Sequence, residues 1–183
     1  MNKGKFIIIS GPSGVGKDTI CEELVKRGIG KYSVSMTTRK KRPSEIDNVS
    51  YFFVTKEEFE QHIKEDYFLE YAMYNGNYYG TPNVFIENTT NNGDNVLAVL
   101  EMNGAINAKR IFNNAIAIFI MPPSFEELEK RLRGRNSEDD AIINERLSIA
   151  KEEIKYKDSY DYIVINNTVD EAVLEIINII EKL

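Results

Sequence analysis

The sequence has few of the residues that mark secreted, membrane-spanning or metal-stapled proteins. Its 183 residues contain one cysteine, Cys21, which excludes an intrachain disulfide and fits a reducing compartment. With a single histidine, His62, it has no Cys/His cluster for a structural metal. No apolar run approaches the roughly 20 residues of a membrane span, and residues 6–9 are too short for a secretory signal. We therefore expect a cytoplasmic protein.

A surplus of positive charge is also missing. The 23 Lys and Arg residues against 29 Asp and Glu residues give a net charge of −6. Proteins that coat nucleic acid or anionic membranes are usually basic, so we expect neither as a partner. The hydrophobic share of 42% is that of a globular chain, and the length suffices for one domain with its own core. Monomer and homodimer both stay open.

Short apolar strands alternate with amphipathic helices over most of the chain. The hydrophobic pattern predicts strands at residues 5–10, 96–100, 115–121 and 162–165. It predicts helices at residues 19–27, 104–112, 124–132, 142–155 and 168–183. The spacing of Ser124 with Glu127, and of Thr168 with Glu171, is that of a helix capping box. This alternation predicts an α/β fold, with a mainly parallel sheet flanked by helices on both faces.

Residues 33–89 interrupt the alternation. They hold most of the tyrosines, a basic run at residues 39–42, and a short helix capped by Thr55 and Glu58. We interpret this stretch as an α+β insertion on the parallel core. At its C-terminal end, the polar residues 88–95, N-T-T-N-N-G-D-N, predict a surface turn.

Residues 11–18 read G-P-S-G-V-G-K-D, close to the phosphate-loop pattern G-x-x-x-x-G-K-[ST]. The segment follows a predicted strand and precedes a predicted helix. Its glycines let backbone N–H groups converge on phosphate oxygens, and the helix dipole favours an anion there. Lys17 is placed to reach the β- and γ-phosphates. The alternative is an ordinary glycine-rich turn, which the strand–loop–helix context disfavours.

The eighth position of the loop departs from the pattern. Asp18 stands where Ser or Thr normally binds Mg²⁺, and Thr19 follows it. A carboxylate that pointed at phosphates would repel them, whereas a carboxylate in a first helical turn is favoured by the dipole. Two interpretations stay open: Asp18 is only a helix-start charge, or it helps to hold Mg²⁺ directly or through water. Thr19 can supply the hydroxyl one position later.

From residue 7 onward, nearly the whole chain resembles the guanylate kinase family. The matching motifs are I-I-S-G-P-S-G-V-G-K at 8–17, S-V-S-M-T-T-R-K-K-R-P at 33–43, G-N-Y-Y-G-T at 76–81, E-M-N-G at 101–104, R-L-R-G-R at 131–135 and N-E-R-L at 144–147. The first motif by itself indicates only nucleotide binding, whereas the arginine stretch and N-Y-Y-G are specific to this family. The resemblance implies a P-loop fold and the reaction of ATP and GMP to ADP and GDP, with Mg²⁺ as cofactor. Use of dGMP and a place in purine nucleotide metabolism are implied with it.

The resemblance also implies three moving parts and their site residues. The core is residues 1–32, 90–124 and 156–183, the GMP-binding insertion is 33–89, and the lid is 125–155. The implied ATP-binding residues are Ser13, Gly14, Val15, Gly16, Lys17, Asp18 and Thr19. The implied GMP-binding residues are Ser35, Arg39, Arg42, Tyr51, Glu70, Tyr79, Thr81 and Glu101. The implied catalytic residues are Lys17, Arg131, Arg135 and Arg146. Asn166 is expected to border the adenine.

Elementary chemistry supports the implied GMP residues. Arg39 and Arg42 can bind a phosphate through bidentate forks, although a solvated basic run or a nucleic-acid patch is an alternative for this stretch. The Glu70 carboxylate can accept both guanine donors, N1–H and N2–H₂. Adenine presents an unprotonated N1 to it, and the unpaired group costs about 1–3 kcal/mol. A surface charge at a helix end is the alternative for Glu70. Tyr78 is expected to pack rather than to contact GMP.

A second departure lies in the strand before E-M-N-G. The family commonly carries an acid two residues before the Glu or Asp of that motif, and this chain has Val99 there. We hypothesise that Asp18 compensates for the lost carboxylate.

The basic residues of the lid have an alternative interpretation as a pattern of surface salt bridges. We prefer this interpretation for Lys130 and Arg133.

Three functional hypotheses remain at this point. The first is a guanylate kinase. The second is a binding module of the same fold that has lost catalysis and holds phosphorylated partners in the GMP pocket. The third is a kinase for another nucleoside monophosphate. The presence of Lys17 and of the lid arginines favours an enzyme.

Overall fold

A computed structural model describes residues 3–43, 45–74, 76–134 and 139–183. The strands are β1 Phe6–Ser10, β2 Lys31–Tyr32, β3 Met36–Thr37, β4 Phe52–Phe53, β5 Phe68–Tyr74, β6 Asn77–Pro82, β7 Val96–Val99, β8 Ala115–Met121 and β9 Tyr162–Ile165. The helices are α1 Lys17–Lys26, α2 Lys56–Lys64, α3 Asn83–Asn91, α4 Met102–Ile111, α5 Phe125–Arg133, α6 Asp140–Ile154 and α7 Val169–Glu181. A short 3₁₀ turn, Lys157–Ser159, precedes β9.

The larger sheet is parallel and has the strand order β2-β7-β1-β8-β9. Its central strand, β1, is buried along its whole length, which explains why its sequence is a continuous apolar run. Alternate residues of β1 serve the two faces of the sheet. Ile7 and Ile9 pack with residues of α1, α5, α6 and α7. Phe6 and Ile8 pack with residues of α3 and α4.

The smaller sheet is mixed and has the order β4-β3-β6-β5. Strand β3 is parallel to β4 and antiparallel to β6, and β5 and β6 form an antiparallel pair that places Glu70 opposite Thr81. Helix α2 covers this sheet. Its Phe59 stacks between Phe68, at 4.3 Å between ring centroids, and Tyr78, at 5.1 Å. Tyr78 therefore packs, as expected.

The predicted α/β fold is confirmed, and the strands expected at 115–121 and 162–165 have those bounds. Thr55 and Glu58 form a full capping box. Ser124 and Thr168 each accept the backbone N–H three residues later, from Glu127 and Glu171. Helix α1 begins at Lys17, two residues before the predicted start, because Gly16 adopts a left-handed conformation and already serves as its N-cap.

The polar turn predicted at 88–95 is wrong in its first half, because α3 continues to Asn91. Asn and Thr are poor helix formers, but α3 is held by burial of Ile86 in the core and of Thr89 and Thr90. The Thr90 hydroxyl donates to the Ile86 carbonyl oxygen at 2.8 Å. The chain turns only after Asn91, where Gly93 has a φ of 90°.

The structure also describes the single cysteine and the character of the helices. Cys21 is free and buried in the core. Within the described ranges, no helix has the length and apolar character needed to cross a membrane.

The division into core, insertion and lid stays a prediction. The smaller sheet lies within the predicted insertion, and α5 and α6 lie within the predicted lid.

Candidate active site

The carboxyl ends of the parallel strands meet at one edge of the larger sheet, where ligands bind in open α/β folds. The glycine-rich loop follows β1 there, and Glu101 follows β7. A cleft of about 460 Å³ opens at this edge, and its lining includes Lys17, Glu101, Glu153 and Tyr160. The Tyr160 hydroxyl hydrogen-bonds the Ser10 hydroxyl at 2.9 Å.

Three glycines of the loop have a positive φ, which residues with a side chain rarely adopt. At Gly11, with a φ of 140°, an added Cβ would also lie 2.4 Å from the Ile120 carbonyl oxygen. Gly14 and Gly16 have φ of 87° and 98°. A Cβ would lie 2.5 Å from a methyl carbon of Leu132 at Gly14, and 2.8 Å from the amide nitrogen of Asn166 at Gly16. Asn166 Nδ2 also donates to the Val15 carbonyl oxygen at 2.8 Å. Side chains of α5 and of the segment after β9 therefore lie directly against the loop at these two glycines.

Lys17 is folded back onto the loop that precedes it. Its Nζ donates to the carbonyl oxygens of Gly11, at 2.6 Å, and Pro12, at 3.1 Å. Burial lowers the pKa of Lys17, while the carboxylates of Glu153, Asp18 and Glu101 raise it in part. A desolvated ammonium of this kind gains most from an added anionic partner.

Glu153 is a cleft residue that the sequence analysis missed. Burial raises the pKa of its carboxyl, against the opposing effects of Lys17 and of the Ser13 backbone N–H that hydrogen-bonds it. Its Oε2 is buried and has no hydrogen-bond partner in the described structure. The sequence held a usable signal: Glu153 lies seven residues after Arg146, which places both side chains on one face of α6.

Of the predicted lid arginines, Arg146 contacts the glycine-rich loop, and Arg131 contacts the segment after β9. Arg146 donates to the Ser13 hydroxyl from Nη2, at 2.6 Å, and from Nε, at 3.2 Å. Arg131 donates to the carbonyl oxygens of Asn166 and Asn167, at 3.0 and 3.3 Å, and pairs with Glu127. Arg131 also lines a separate cavity of about 490 Å³, together with Gly14, Gly16 and Asn166.

The third predicted arginine of the lid, Arg135, lies outside the described residues. The preference for surface salt bridges at Arg133 and Lys130 fits the structure. Arg133 pairs with Glu129 at 2.8 Å and with Asp140 at 2.6 Å, and Lys130 lies 4.0 Å from Glu127.

Arg39, Tyr51 and Tyr79, three residues of the predicted phosphate clamp, lie close together beside the smaller sheet. The guanidinium carbon of Arg39 lies 5.6 Å from the Tyr51 ring centroid, and the Tyr51 and Tyr79 rings are 6.0 Å apart. Arg39 also forms a bidentate ion pair with Glu45, a residue that the sequence analysis missed. The Arg42 side chain is exposed nearby, and Ser35 is half-buried, its carbonyl oxygen accepting from the Phe52 N–H.

Glu70, which is half-buried, and Thr81, which is buried, form a polar pair on adjacent strands. The Thr81 hydroxyl donates to Glu70 Oε1 at 2.8 Å. Burial raises the pKa of Glu70, the nearby Glu101 carboxylate raises it further, and the Thr81 bond lowers it. Glu70 lies in β5 and is not exposed, so the alternative of a surface helix-end charge is wrong.

Gly104, the last residue of E-M-N-G, makes room for Glu70. A Cβ at Gly104 would lie 3.1 Å from Glu70 Cγ and 3.4 Å from the Leu100 Cβ. The first turn of α4 therefore packs directly against the Glu70 side chain. This contact gives a physical reason for the glycine in the motif.

The two residues that depart from the family pattern, Asp18 and Val99, line different cavities. Val99 lines the same cleft as Lys17 and Glu101. Asp18 and Thr19 are exposed in the first turn of α1. Asp18 lines a cavity of about 730 Å³ that also borders Tyr32 and Tyr51.

A phosphate-type loop between a buried strand and a helix, with a half-buried lysine and an arginine on the loop, defines the class of P-loop nucleotide-binding proteins. The family model described as "Guanylate kinase" matches residues 3–183. The chain belongs to the guanylate kinase family, which confirms the resemblance that the motifs indicate.

Individual relatives are similar over almost their full length. A guanylate kinase of Oceanobacillus iheyensis is 46% identical over 181 residues, covering 98% of this chain and 88% of the relative. One of Clostridioides difficile is 46% identical over 183 residues, covering 100% and 89%. A crystal structure of guanylate kinase from Anaplasma phagocytophilum has a TM-score of 0.78 at 32% identity, covering 99% of this chain and 86% of that one.

The raised pKa of Glu70 predicts how replacing it changes stability with pH. The folded protein holds the Glu70 proton to a higher pH than the unfolded chain, so above about pH 4.5 this group destabilises the fold increasingly. Glutamine does not titrate and can still accept from Thr81. We expect the free energy of unfolding of Glu70→Gln, minus that of wild type, to increase as pH rises from about 4.5 to neutrality. Urea unfolding across this range measures the difference, and a constant or falling difference contradicts the assigned burial.

Proposed function

We propose that this chain transfers the terminal phosphoryl group of ATP to GMP, giving ADP and GDP, and that the residues described above carry out the transfer. The observation that carries the proposal is the position of Glu101. Glu101 lines the cleft of Lys17 and is the N-cap of α4, whose Gly104 packs against the Glu70 side chain. The phosphate loop and the Glu70–Thr81 pair are thus adjacent, as transfer between two nucleotides requires.

In this proposal ATP binds along the glycine-rich loop. The backbone N–H groups of residues 13–19 and the start of α1 hold its phosphates. Lys17 exchanges its two carbonyl partners for phosphate oxygens, which relieves the cost of its burial. The cavity lined by Arg131, Gly16 and Asn166 receives the adenosine side of the molecule.

GMP binds between the smaller sheet and α4. Its phosphate is held by Arg39, Arg42, Tyr51, Tyr79 and Ser35, and its guanine by Glu70, Thr81 and Glu101. The Glu70 carboxylate accepts the N1–H and N2–H₂ donors, and this satisfies a group that burial otherwise penalises. The Thr81 hydroxyl donates its single proton to Glu70 in the described structure. In the complex it turns this proton to the carbonyl side of the guanine ring.

Phosphoryl transfer requires alignment and positive charge more than covalent help. Lys17 and Arg146 supply charge beside the loop, and Arg131 and Arg135 complete it. Closure of residues 125–155 over ATP excludes water and so prevents hydrolysis. Movement of residues 33–89 brings GMP to the loop.

Mg²⁺ fits this site as an ion held mainly by phosphates. The described residues contain no group of three His, Cys, Asp or Glu side chains that could hold a metal. Mg²⁺ usually keeps several waters and takes one or two carboxylates plus substrate phosphates. Among the described residues, Asp18 and Thr19 at the start of α1 and Glu101 and Glu153 in the cleft offer side-chain oxygen atoms. When bound, the ion neutralises charge on the β- and γ-phosphates.

The placement of charged groups favours an enzyme over a binding module of the same fold. A module that holds phosphorylated partners needs only the Arg39 region. This chain also places Arg146 on Ser13 and buries Lys17 in the loop. Both groups serve the ATP side of the reaction.

A panel of acceptors tests the proposed function. ADP release is measured with saturating ATP and Mg²⁺ and with GMP, dGMP, AMP, UMP or dTMP. We expect turnover with GMP, weaker turnover with dGMP, and little with the others. Glu70→Gln removes the carboxylate that pairs with guanine, so we expect selectivity for GMP over AMP to fall roughly tenfold or more.

The matched control for this panel is Glu60→Gln, which removes an exposed carboxylate of α2 that pairs only weakly with Lys56 at 3.7 Å. It should leave selectivity unchanged. If ADP is not released with GMP, the result favours the binding module. If another nucleoside monophosphate is a better acceptor than GMP, the result favours a kinase for that nucleotide. Unchanged selectivity in Glu70→Gln contradicts the role of Glu70.

A second measurement concerns Asp18. If Asp18 holds a water of Mg²⁺, Asp18→Ala raises the Mg²⁺ concentration needed for half-maximal rate and for half-maximal ATP binding. Asp18→Asn keeps the size of the side chain and isolates the loss of charge. An unchanged Mg²⁺ requirement in both assays reduces Asp18 to a helix-start charge.

A further inference from the structure

Arg39, the central residue of the proposed phosphate clamp, is held by a carboxylate from its own loop. Glu45 Oε1 accepts from Arg39 Nη2 at 2.6 Å, and Glu45 Oε2 accepts from Nη1 at 3.0 Å. The two side chains are only 16% and 15% exposed. This pair is therefore better shielded from water than the ion pairs along the helix surfaces, and its bidentate geometry is of the strong kind.

Glu45 also fixes the backbone of the second clamp arginine. Its Oε2 accepts the Arg42 backbone N–H at 2.7 Å, in addition to the Arg39 bond. One carboxylate thus joins the Arg39 side chain to the main chain three residues later. The bonds to Arg39 and to the Arg42 N–H hold the pKa of Glu45 low, at about 2, so the carboxylate stays charged at any pH at which the enzyme works.

The remaining donors of Arg39 are left in a fixed orientation. A guanidinium has five N–H groups, and Nη1 donates both to Glu45 and to the Lys40 carbonyl oxygen at 2.8 Å. One Nη2 hydrogen goes to Glu45. The Nε–H and the second Nη2–H form the other edge of the planar group, which is itself a two-pronged fork. The Tyr79 side chain, another residue of the proposed clamp, also interacts with the guanidinium through a hydrogen bond. The plane is held 5.6 Å from the Tyr51 ring centroid and 5.8 Å from that of Phe53.

We propose that Glu45 is a positioning residue for the acceptor phosphate: it remains bound to one edge of Arg39 and presents the other edge, together with Arg42, to GMP. The inference rests on the proposed GMP clamp. The opposite role, in which Glu45 occupies the phosphate position and must leave first, predicts the reverse effect of its removal. The second fork and the shared Arg42 N–H favour positioning, because phosphate can bind without breaking either bond.

The test is the binding of GMP and of guanosine to Glu45→Gln, measured by calorimetry. The amide keeps the size and one acceptor but loses the charge and the bidentate carboxylate. We expect the Kd of GMP to rise roughly tenfold, and the Kd of guanosine, which lacks the phosphate, to stay unchanged. In turnover, KM for GMP should rise with kcat nearly constant. Glu60→Gln is the control for loss of one negative charge in the same region.

Two more variants separate the possible failures. Arg39→Ala should lower the preference for GMP over guanosine by more than Glu45→Gln does; if the preference is unchanged, the clamp itself is wrong and this inference falls with it. If Arg39→Ala has its effect but Glu45→Gln binds GMP equally well or more tightly, only the positioning role is overturned. Glu45→Asp keeps the charge on a shorter side chain that cannot reach all three donors, so an intermediate Kd is expected. Wild-type affinity in Glu45→Asp contradicts positioning.

Discussion

The site depends on the burial of β1 between β7 and β8. Because this strand has no exposed edge and no polar side chain before Ser10, its position in the sheet is fixed, and the loop after it starts from a fixed point. Side chains from α5 and from the segment after β9 lie against the loop at Gly14 and Gly16. Lys17 folds back onto the carbonyl oxygens of the same loop. The phosphate site is therefore shaped by the core before any nucleotide binds, which is what preorganised electrostatic stabilisation requires.

Several ionisable groups in and near this loop are removed from water without full compensation by opposite charges. Glu70 and Glu153 are carboxyls whose pKa is raised by burial, and Lys17 is an ammonium whose pKa is lowered by it. Each of these groups costs free energy in the folded protein and regains it when a complementary group arrives. In the proposed function, guanine donors satisfy Glu70 and phosphates satisfy Lys17. Arg39 differs, because Glu45 already neutralises it and sets its direction.

Sequence patterns predicted those features whose causes are local. The strands and helices follow from hydrophobic period and caps, and the loop follows from a strand, glycines and a lysine within twelve residues. The features that were missed depend on contacts between distant segments. Glu153 reaches the loop only because α6 folds back across it, and the end of α3 is helical only because Ile86 is buried. Glu45 lies close to Arg39 in sequence, but an acid beside a basic run has no signature that separates an ion pair from a solvated charge.

A crystal structure with GMP and a non-hydrolysable ATP analogue tests the central claim most directly, that one preformed edge of the sheet holds both nucleotides. The account predicts that Lys17 Nζ leaves the carbonyl oxygens of Gly11 and Pro12 for phosphate oxygens. It also predicts guanine within hydrogen-bond distance of Glu70 and Thr81, and the GMP phosphate on Arg39 with Glu45 still paired. A complex in which Lys17 keeps both carbonyl bonds, or in which guanine lies away from Glu70, would contradict it.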